Sequence, residues 1–185
     1  MRKTILERSG LRIWQGDTEL SCGERVHLGA GHYHWPGFDN LDEETDLKAL
    51  PYPDESVDQI YAIHLFEHLP RLDVNAYLQE WKRVLKQGNL LILELPSLDK
   101  MARLIVAGEK NLRLTLLGIF GDPRDWDESY ATSPARKKNP LMRHEWAWTD
   151  DEITAVLAEN GFEVEIQPPT FHMEQRDMRV QARKL

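Results

Sequence analysis

Short apolar runs along this chain alternate with longer stretches in which apolar residues recur every three or four positions. The run at residues 90–95 is nearly continuous, which is typical of a parallel strand that is covered on both faces. Comparable runs, rich in residues that favour extended structure, predict further strands at residues 26–28, 37–41, 45–47, 57–63, 162–166 and 178–182.

One stretch with helical spacing runs over residues 73–85. Its apolar positions fall three or four apart, so they share one face of a helix. Asp73 has the side chain of an N-cap, and Gly88 is suited to the C-cap of the same helix. These residues predict an amphipathic helix with a defined end on each side.

A second helix is predicted over residues 150–160. Thr149 precedes it, and Glu152 lies three positions further on, which is the spacing of a capping box. Residues 98–117 also have helical spacing and lead into a segment rich in Asp, Pro, Ser and Lys. We interpret residues 97–143 as an insertion or lid.

Strand and helix alternate along the chain, which then ends with two strands close together. This order predicts an α/β fold over residues 1–185, a single domain with one doubly wound, mainly parallel sheet. The final two strands predict an antiparallel pair at one edge. Only a handful of residues separate Gly31 from the second strand, too few for a full crossover, so the first crossover helix is predicted to be shortened.

Gly29, Ala30 and Gly31 directly follow the first predicted strand. Glycine at such a position allows a tight turn and a close approach of the backbone to a ligand. The third glycine of the dinucleotide-binding pattern would fall near His34 and is absent, which argues against NAD or FAD. Taken alone, the loop is also compatible with an ordinary tight turn.

Two carboxylates follow the next strands. Asp42 comes where an acid can accept hydrogen bonds from both hydroxyls of a ribose, and Asp46 can accept one from the amine of an adenine, while Leu47 offers its backbone N–H. Each Asp taken alone is more often a turn residue. Their order at successive strand ends predicts a ligand site at one edge of the sheet.

These motifs, in this order, resemble the class I S-adenosylmethionine-dependent methyltransferases, above all small bacterial members whose glycine loop lacks its third glycine. The sequence E-W-K-R-V-L-K-Q-G at residues 80–88 is similar to the family's E-x-x-R-V-L-K-P-G-G. The other matching stretches are residues 26–42, 46–47, 50–58, 63–69, 144–146 and 160–162.

The resemblance implies S-adenosylmethionine as the cofactor and methyl transfer as the reaction. The residues that it implies for cofactor binding are Gly29, Ala30 and Gly31 for the methionine part, Asp42 for the ribose, Asp46 and Leu47 for the adenine, and His64 beside the sulfonium. On the acceptor side we select His68 as the candidate catalytic group, with His144 and Trp146 in the substrate pocket. Structural roles for these three, in hydrogen bonding or packing, stay open.

Two alternatives remain. Residues 64–68 match H-x-x-E-H, a zinc-peptidase pattern in which His64 and His68 would bind the metal from one helix, with Glu145 as a distant third ligand. Pro70 argues against a full helix there. His32 and His34, with His27 nearby, are a second possible metal cluster, although loop residues beside the cofactor are the more frequent case. We predict no metal. The second alternative is a domain with this fold that no longer catalyses and serves as a binding or assembly partner.

Composition narrows the class of protein further. The 185 residues carry a formal net charge of −8, which argues against nucleic acid as a partner. We expect a small-molecule substrate, while a lipid precursor or a protein side chain stays open as the acceptor. No segment reaches the roughly 20 apolar residues of a membrane span, the charged start lacks a signal peptide's apolar region, and the single Cys22 forms no internal disulfide. We therefore expect a cytoplasmic protein, with its methyl acceptor and oligomeric state left open.

Overall fold

The computed structural model describes residues 6–8, 11–13, 24–31, 33–109, 112–122 and 142–185. Its strands are β1 (Leu6–Arg8), β2 (Leu11–Ile13), β3 (Glu24–Leu28), β4 (Asp39–Leu41), β5 (Val57–Ile63), β6 (Leu85–Pro96), β7 (Phe162–Gln167) and β8 (Asp177–Lys184). Its α-helices are α1 (Val74–Val84), α2 (Leu98–Val106), α3 (Leu112–Phe120) and α4 (Asp150–Glu159).

Six strands form one sheet in the order β4–β3–β5–β6–β8–β7. The first four are parallel to one another, whereas β8 runs antiparallel to both β6 and β7. This confirms the predicted α/β fold, its mainly parallel sheet and its antiparallel edge. β1 and β2 pair antiparallel in a separate two-stranded sheet. The described residues between β3 and β4 contain turns and no helix, in agreement with a shortened first crossover.

Alternation along the central strands divides the core between the two faces of the sheet. Leu91 and Leu93 lie in the larger core with Trp81 of α1 and Ile153 of α4. Ile92, between the two leucines, instead packs in an aromatic cluster with Trp35, Tyr61 and Phe171. Successive side chains of a strand point to opposite faces. The nearly continuous apolar run in β6 is therefore explained by burial on both sides.

The structure corrects three boundaries. Residues 45–47 form turns rather than a strand, because the Asp46 carboxylate accepts from the backbone N–H of Lys48 at 2.9 Å. Gly88 is not a helix cap, since α1 ends at Val84 and β6 begins at the next residue, with Gly88 inside it at φ +75°. The predicted helical stretch 98–117 is divided into α2 and α3.

The two predicted N-caps differ. Thr149 accepts a hydrogen bond from the backbone N–H of Glu152 at 3.1 Å, as predicted. The Asp73 side chain makes no cap bond, and its carboxylate pairs with Lys48 at 3.2 Å instead. Residues 123–141 of the predicted lid lie outside the described residues. No helix in the described part of the chain has the length and apolar character that crossing a bilayer requires.

Candidate functional site

The predicted ligand loops leave the sheet at one edge. Leu28 of β3 is in register with Leu41 of β4 and with Ala62 of β5. The next residues along these parallel strands therefore emerge side by side. Gly29 and Asp42 directly follow this row, and the loop after β5 begins one residue beyond it. The register thus brings the three predicted loops together at the carboxyl edge, where open α/β sheets bind ligands.

The glycine loop requires glycine at two positions for different reasons. Gly29 has φ +66°, and a Cβ added there would lie 2.8 Å from Cδ1 of Leu65. Gly31 has φ +51°, and a Cβ there would meet no atom within 4 Å. The N–H of Ala30 donates to the carbonyl of Leu41 at 3.0 Å, which holds the loop against the end of β4. Gly31 therefore presents open backbone above the sheet edge.

Asp42 and Asp46, the two carboxylates that follow β4, differ in their hydrogen bonds. The Asp42 carboxylate is exposed and accepts no hydrogen bond from any residue that the structure describes. One oxygen of the Asp46 carboxylate accepts from the N–H of Lys48 within its own turn, and the other accepts no hydrogen bond from the described residues. The carbonyl of Leu47 accepts from Nε1 of Trp81 at 3.0 Å, and this bond fixes the turn against α1.

This geometry fits the cofactor that the resemblance implies. Open backbone at Gly31 allows a close approach, as a loop that holds an amino-acid moiety needs. The Asp42 carboxylate, which has no hydrogen-bond partner among the described residues, can accept from two hydroxyls of a ribose. Both features lie at the same edge of the sheet, next to the loop that carries His64.

His64 adopts a left-handed conformation with φ +50°, which is rare for a residue other than glycine. Its Nδ1 lies 2.7 Å from a carboxylate oxygen of Glu67, and its ring lies 4.0 Å from that of His172. Burial opposes the charged imidazole, but the carboxylates of Glu67 and Asp177 outweigh it and raise the pKa of His64. The strained residue is thus held between buried acids.

Glu67, His68 and His144 form a second group beside His64. Each offers a ligand atom within 4.8 Å of those of the other two. Burial acts to raise the pKa of Glu67, but the neighbouring His64, then His68 and His144, lower it to about 2. Burial lowers the pKa of His144. The structure therefore brings the predicted catalytic residue and one predicted substrate-pocket residue together around an ionised, buried carboxylate.

Trp146 and Trp148, which follow His144 in the chain, differ in burial. Trp148 is fully buried and packs 5.0 Å from the ring of Phe66. Trp146 is 42% exposed, and its Nε1 donates to the carboxylate of Glu152. Trp146 therefore lies on the surface beside α4, where its outer face remains open.

The zinc-peptidase pattern at residues 64–68 lacks the helix that it requires. His64 follows β5, and Phe66–His68 form a single 3₁₀ turn. Glu145, the third ligand of that hypothesis, instead pairs with Arg143 at 2.6 Å. In the possible cluster of His27, His32 and His34, His27 has a packing role. Its ring stacks on Trp35 at 4.1 Å, and burial lowers its pKa to about 4. His32 lies outside the described residues, and His34 is exposed.

Sequence reasoning missed Glu94. It lies fully buried in β6 and accepts hydrogen bonds from the backbone N–H groups of Thr170 at 2.9 Å and Phe171 at 2.8 Å. Burial acts to raise the pKa of Glu94, but His172 and these N–H groups lower it. The signal in the sequence was that Glu94 is the single acid in the apolar run at residues 90–95. A buried charge needs partners, so this residue was a candidate for a specific polar role.

Asp177, at the start of β8, is the second buried acid without a predicted role. Its carboxylate accepts from Nε of Arg176 at 2.8 Å and lies 3.8 Å from Nε2 of His64. Asp177 therefore contributes to the acidic surroundings of His64.

Comparison with known proteins gives a partial match in sequence. Residues 34–93 match the family model of a methyltransferase domain. This segment includes Asp42, Asp46, Leu47, His64 and His68. No curated protein matches the chain significantly.

Solved structures give a match over most of the chain. A methyltransferase of Methanosarcina mazei described as SAM-dependent has a TM-score of 0.57 at 15% identity, with 88% of this chain and 92% of that chain covered. A SAM-dependent methyltransferase of Archaeoglobus fulgidus has a TM-score of 0.54 at 13% identity, covering 88% and 86%. A chain in the complex of the Haloferax volcanii Trm112 methyltransferase activator with a candidate methyltransferase has a TM-score of 0.53 at 12% identity, covering 88% and 83%.

The sheet order, the register at its carboxyl edge and these comparisons all indicate the same α/β fold. They agree with the fold that the resemblance in the sequence implied. The chain thus has the fold of class I S-adenosylmethionine-dependent methyltransferases over most of its length, and about a third of it, residues 34–93, matches the model of a methyltransferase domain.

Proposed function

We propose that this chain binds S-adenosylmethionine at the carboxyl edge of its sheet and transfers the methyl group to a small-molecule acceptor. The observation that carries the proposal is the register row Leu41, Leu28 and Ala62, which aligns the glycine loop, Asp42 and the His64 loop. The descriptions of the structural neighbours as SAM-dependent methyltransferases support the cofactor.

Each predicted residue has a proposed task at this edge. Gly31 admits the methionine part to the backbone, with Gly29 and Ala30 shaping the turn. Asp42 accepts from the ribose hydroxyls, Asp46 and Leu47 face the adenine, and His64 borders the sulfonium. The geometry supports this assignment most directly at Gly31 and Asp42. Gly31 presents open backbone, and the Asp42 carboxylate has no hydrogen-bond partner in the described part of the chain.

When bound, the cofactor supplies an already activated methyl group on a sulfonium. The chain must then align the acceptor, exclude water and handle the acceptor's proton. We assign His68 and His144 to this acceptor side, because each keeps one ring nitrogen without a backbone partner among the described residues. Trp146 offers an apolar, half-open surface at its border.

Two further features belong to the same proposal. Residues 97–143, including α2 and α3, form an insertion within one domain and shape the choice of acceptor. The protein acts in the cytoplasm, as its composition suggested. The second candidate function is a binding or assembly domain without turnover. The observation behind it is that one structural neighbour comes from a protein complex, the one that contains the Trm112 activator.

Calorimetric titration with S-adenosylmethionine and S-adenosylhomocysteine, in the presence of a chelator, tests the cofactor assignment. We expect Asp42→Ala to weaken binding by roughly 1–3 kcal/mol, or about 5- to 150-fold, because two hydrogen bonds to a charged acceptor are lost. Glu44→Ala is the matched control, since Glu44 is an exposed acid two residues away. Unchanged affinity of the Asp42 variant would reject the ribose assignment, and no binding by the wild type would favour the second candidate.

A further inference from the structure

We propose that Glu67, His68 and His144 bind a divalent transition-metal ion, and that Zn²⁺ is the ion that suits this site best. The three residues offer one ligand atom each, all within 4.8 Å of one another. Two imidazoles and one carboxylate are a ligand set of catalytic zinc sites. The same set also suits Fe²⁺ at an open site.

Hydrogen bonds to the main chain determine which nitrogen of each imidazole ring can bind a metal. Nδ1 of His68 donates to the carbonyl of Arg143 at 3.0 Å, and Nδ1 of His144 donates to the carbonyl of Gly118 at 2.9 Å. Each bond fixes the proton on Nδ1, so the lone pair of each ring is left on Nε2. Histidines that bind metals almost always donate their other ring nitrogen in this way. The tautomer needed for binding is therefore set by the backbone.

The carboxylate supplies the second, independent observation. Glu67 is 2% exposed, and neither of its carboxylate oxygens has a hydrogen-bond partner among the residues that the structure describes. One of them, Oε1, is 2.7 Å from Nδ1 of His64, which leaves Oε2 unpaired. A buried charge that is left with unused acceptor capacity is costly unless a cation or donor completes it. A metal ion would satisfy Oε2.

The main chain holds the ligands together although they are far apart in sequence. The carbonyl of Glu67 accepts from the N–H of Glu145 at 2.8 Å and from the N–H of Trp146 at 3.3 Å. These bonds fix the segment that carries His144 against the 3₁₀ turn that carries Glu67 and His68. The rings of the two histidines are consequently 4.7 Å apart, in an edge-to-face arrangement.

The proposed site differs from that of the zinc peptidases with the H-x-x-E-H pattern. There, both histidines of the pattern bind the metal from one helix. Here His64 pairs with Glu67 and packs on His172, and the third ligand is the distant His144. Glu67, which would be the general base in the peptidase pattern, is a metal ligand in the proposed site. The similarity in sequence therefore has a different geometric outcome.

The role of the metal rests on the proposed methyl transfer, although its binding does not. Leu65 packs against Gly29 of the cofactor loop, and the metal ligands follow within the next three residues. Three protein ligands leave a position for a fourth. An acceptor with a hydroxyl or carboxylate group could take that position, and the metal would lower the pKa of a bound hydroxyl. Oxygen is thus the methyl-accepting atom that the site favours.

Titration of the metal-free, untagged full-length protein with Zn²⁺, without S-adenosylmethionine, tests the site. We expect one ion per chain, and at least about tenfold weaker binding in His68→Ala and in His144→Ala, because each loses a direct ligand. Glu67→Gln keeps the size of the side chain and removes its charge, so it should also bind more weakly. His34→Ala is the control, because His34 is exposed and outside the cluster.

Co²⁺ substitution distinguishes a metal ligand from a histidine with a merely structural role, because only the loss of a ligand should change the absorption of the bound ion. Visible absorption bands of four-coordinate Co²⁺ should appear in the wild type and in His34→Ala, and disappear in His68→Ala. Each variant is first compared with the wild type by circular dichroism, and His144→Asn replaces His144→Ala if the latter does not fold. Equal Zn²⁺ affinity in the wild type, His68→Ala and Glu67→Gln would overturn the proposal. Because cofactor binding is titrated in chelator and metal binding without cofactor, each proposal fails independently.

Discussion

At the scale of single residues, the buried His27 should make the stability of the fold depend on pH. Its ring is 3% exposed, stacks on Trp35 and has an Nδ1 without a hydrogen-bond partner among the described residues. Burial lowers its pKa from the ordinary value of 6.5 to about 4. The unfolded chain therefore takes up a proton at a higher pH than the folded one, and the stability contributed by neutral His27 is lost as pH falls from 6.5 towards 4.

His27→Phe should remove this pH dependence while keeping an aromatic ring against Trp35. The full loss for the wild type over this interval is about 3 kcal/mol, from the size of the pKa change. The measurement is the free energy of unfolding in urea at pH 7, 5.5 and 4. His34→Phe is the control, since that exposed side chain has no burial to lose. If His27→Phe loses stability as steeply as the wild type, His27 is not the origin of the slope.

The sequence could not distinguish these roles of histidine. His27, His32 and His34 formed a possible metal cluster in the sequence, and the pattern at residues 64–68 suggested a peptidase. Stacking on Trp35 depends on a fold in which the loop turns back over the sheet. The pairing of His64 with Glu67 likewise depends on a 3₁₀ turn rather than a helix. Residue type and spacing alone determine neither.

At the scale of elements, the helix ends show where local patterns are sufficient. Thr149 and Asp73 both precede an amphipathic stretch, and both have side chains suited to capping. Thr149 makes the predicted bond to the N–H of Glu152, whereas the Asp73 carboxylate pairs with Lys48 instead. Lys48 is 25 residues away along the chain. A competing tertiary contact therefore decides the outcome, and a local pattern contains no information on it.

Removing the two side chains should consequently have unequal effects. Thr149→Ala should lower the free energy of unfolding by about 1 kcal/mol, because the N–H of Glu152 loses its acceptor. Asp73→Ala should cost clearly less, since no capping bond exists to be lost. Urea unfolding at neutral pH measures both. Thr149→Ser, which keeps the hydroxyl, should remain close to the wild type, and equal losses for Thr149→Ala and Asp73→Ala would contradict this account of the caps.

At the scale of the whole molecule, alternation of strands and helices was enough to predict the sheet. The periodicity at residues 57–63 and 90–95 located the central strands, and the closely spaced final strands predicted the antiparallel edge, as observed. The edge where the ligand loops meet follows from parallel pairing alone. The position of Gly31 and Asp42 at this edge was therefore predictable from the sequence.

The meeting of Glu67 with His144 was not predictable. It depends on backbone bonds between the turn after β5 and a segment almost 80 residues later, with α2 and α3 between them. Glu94 was hidden for a related reason, since its partners Thr170, Phe171 and Arg179 all follow it by more than 70 residues. Long-range polar contacts leave no periodic signal in a single sequence.

Glu94 connects the central strand β6 with the loop before β8, so its loss should affect the whole fold. Glu94→Gln replaces an ionised acceptor by an amide whose NH₂ faces at least one of the donors from Thr170, Phe171 and Arg179. We expect the free energy of unfolding to fall by roughly 3–5 kcal/mol, as when one partner of a buried ion pair is removed. Urea unfolding followed by fluorescence and by circular dichroism measures this loss and tests whether the fold still unfolds in one step.

Glu163→Gln is the matched control for this prediction. Glu163 lies in β7 of the same sheet and also faces an arginine, Arg183, at 4.0 Å, but its side chain is 71% exposed. The same substitution there should change stability by no more than about 0.5 kcal/mol. The pKa of Glu94 lies below the ordinary glutamate value of 4.5, so its contribution is present above that pH and is lost as pH falls through the folded-state pKa. The gap between wild type and Glu94→Gln should therefore narrow under acid conditions, and a gap that stays constant with pH would assign the effect to packing instead of charge.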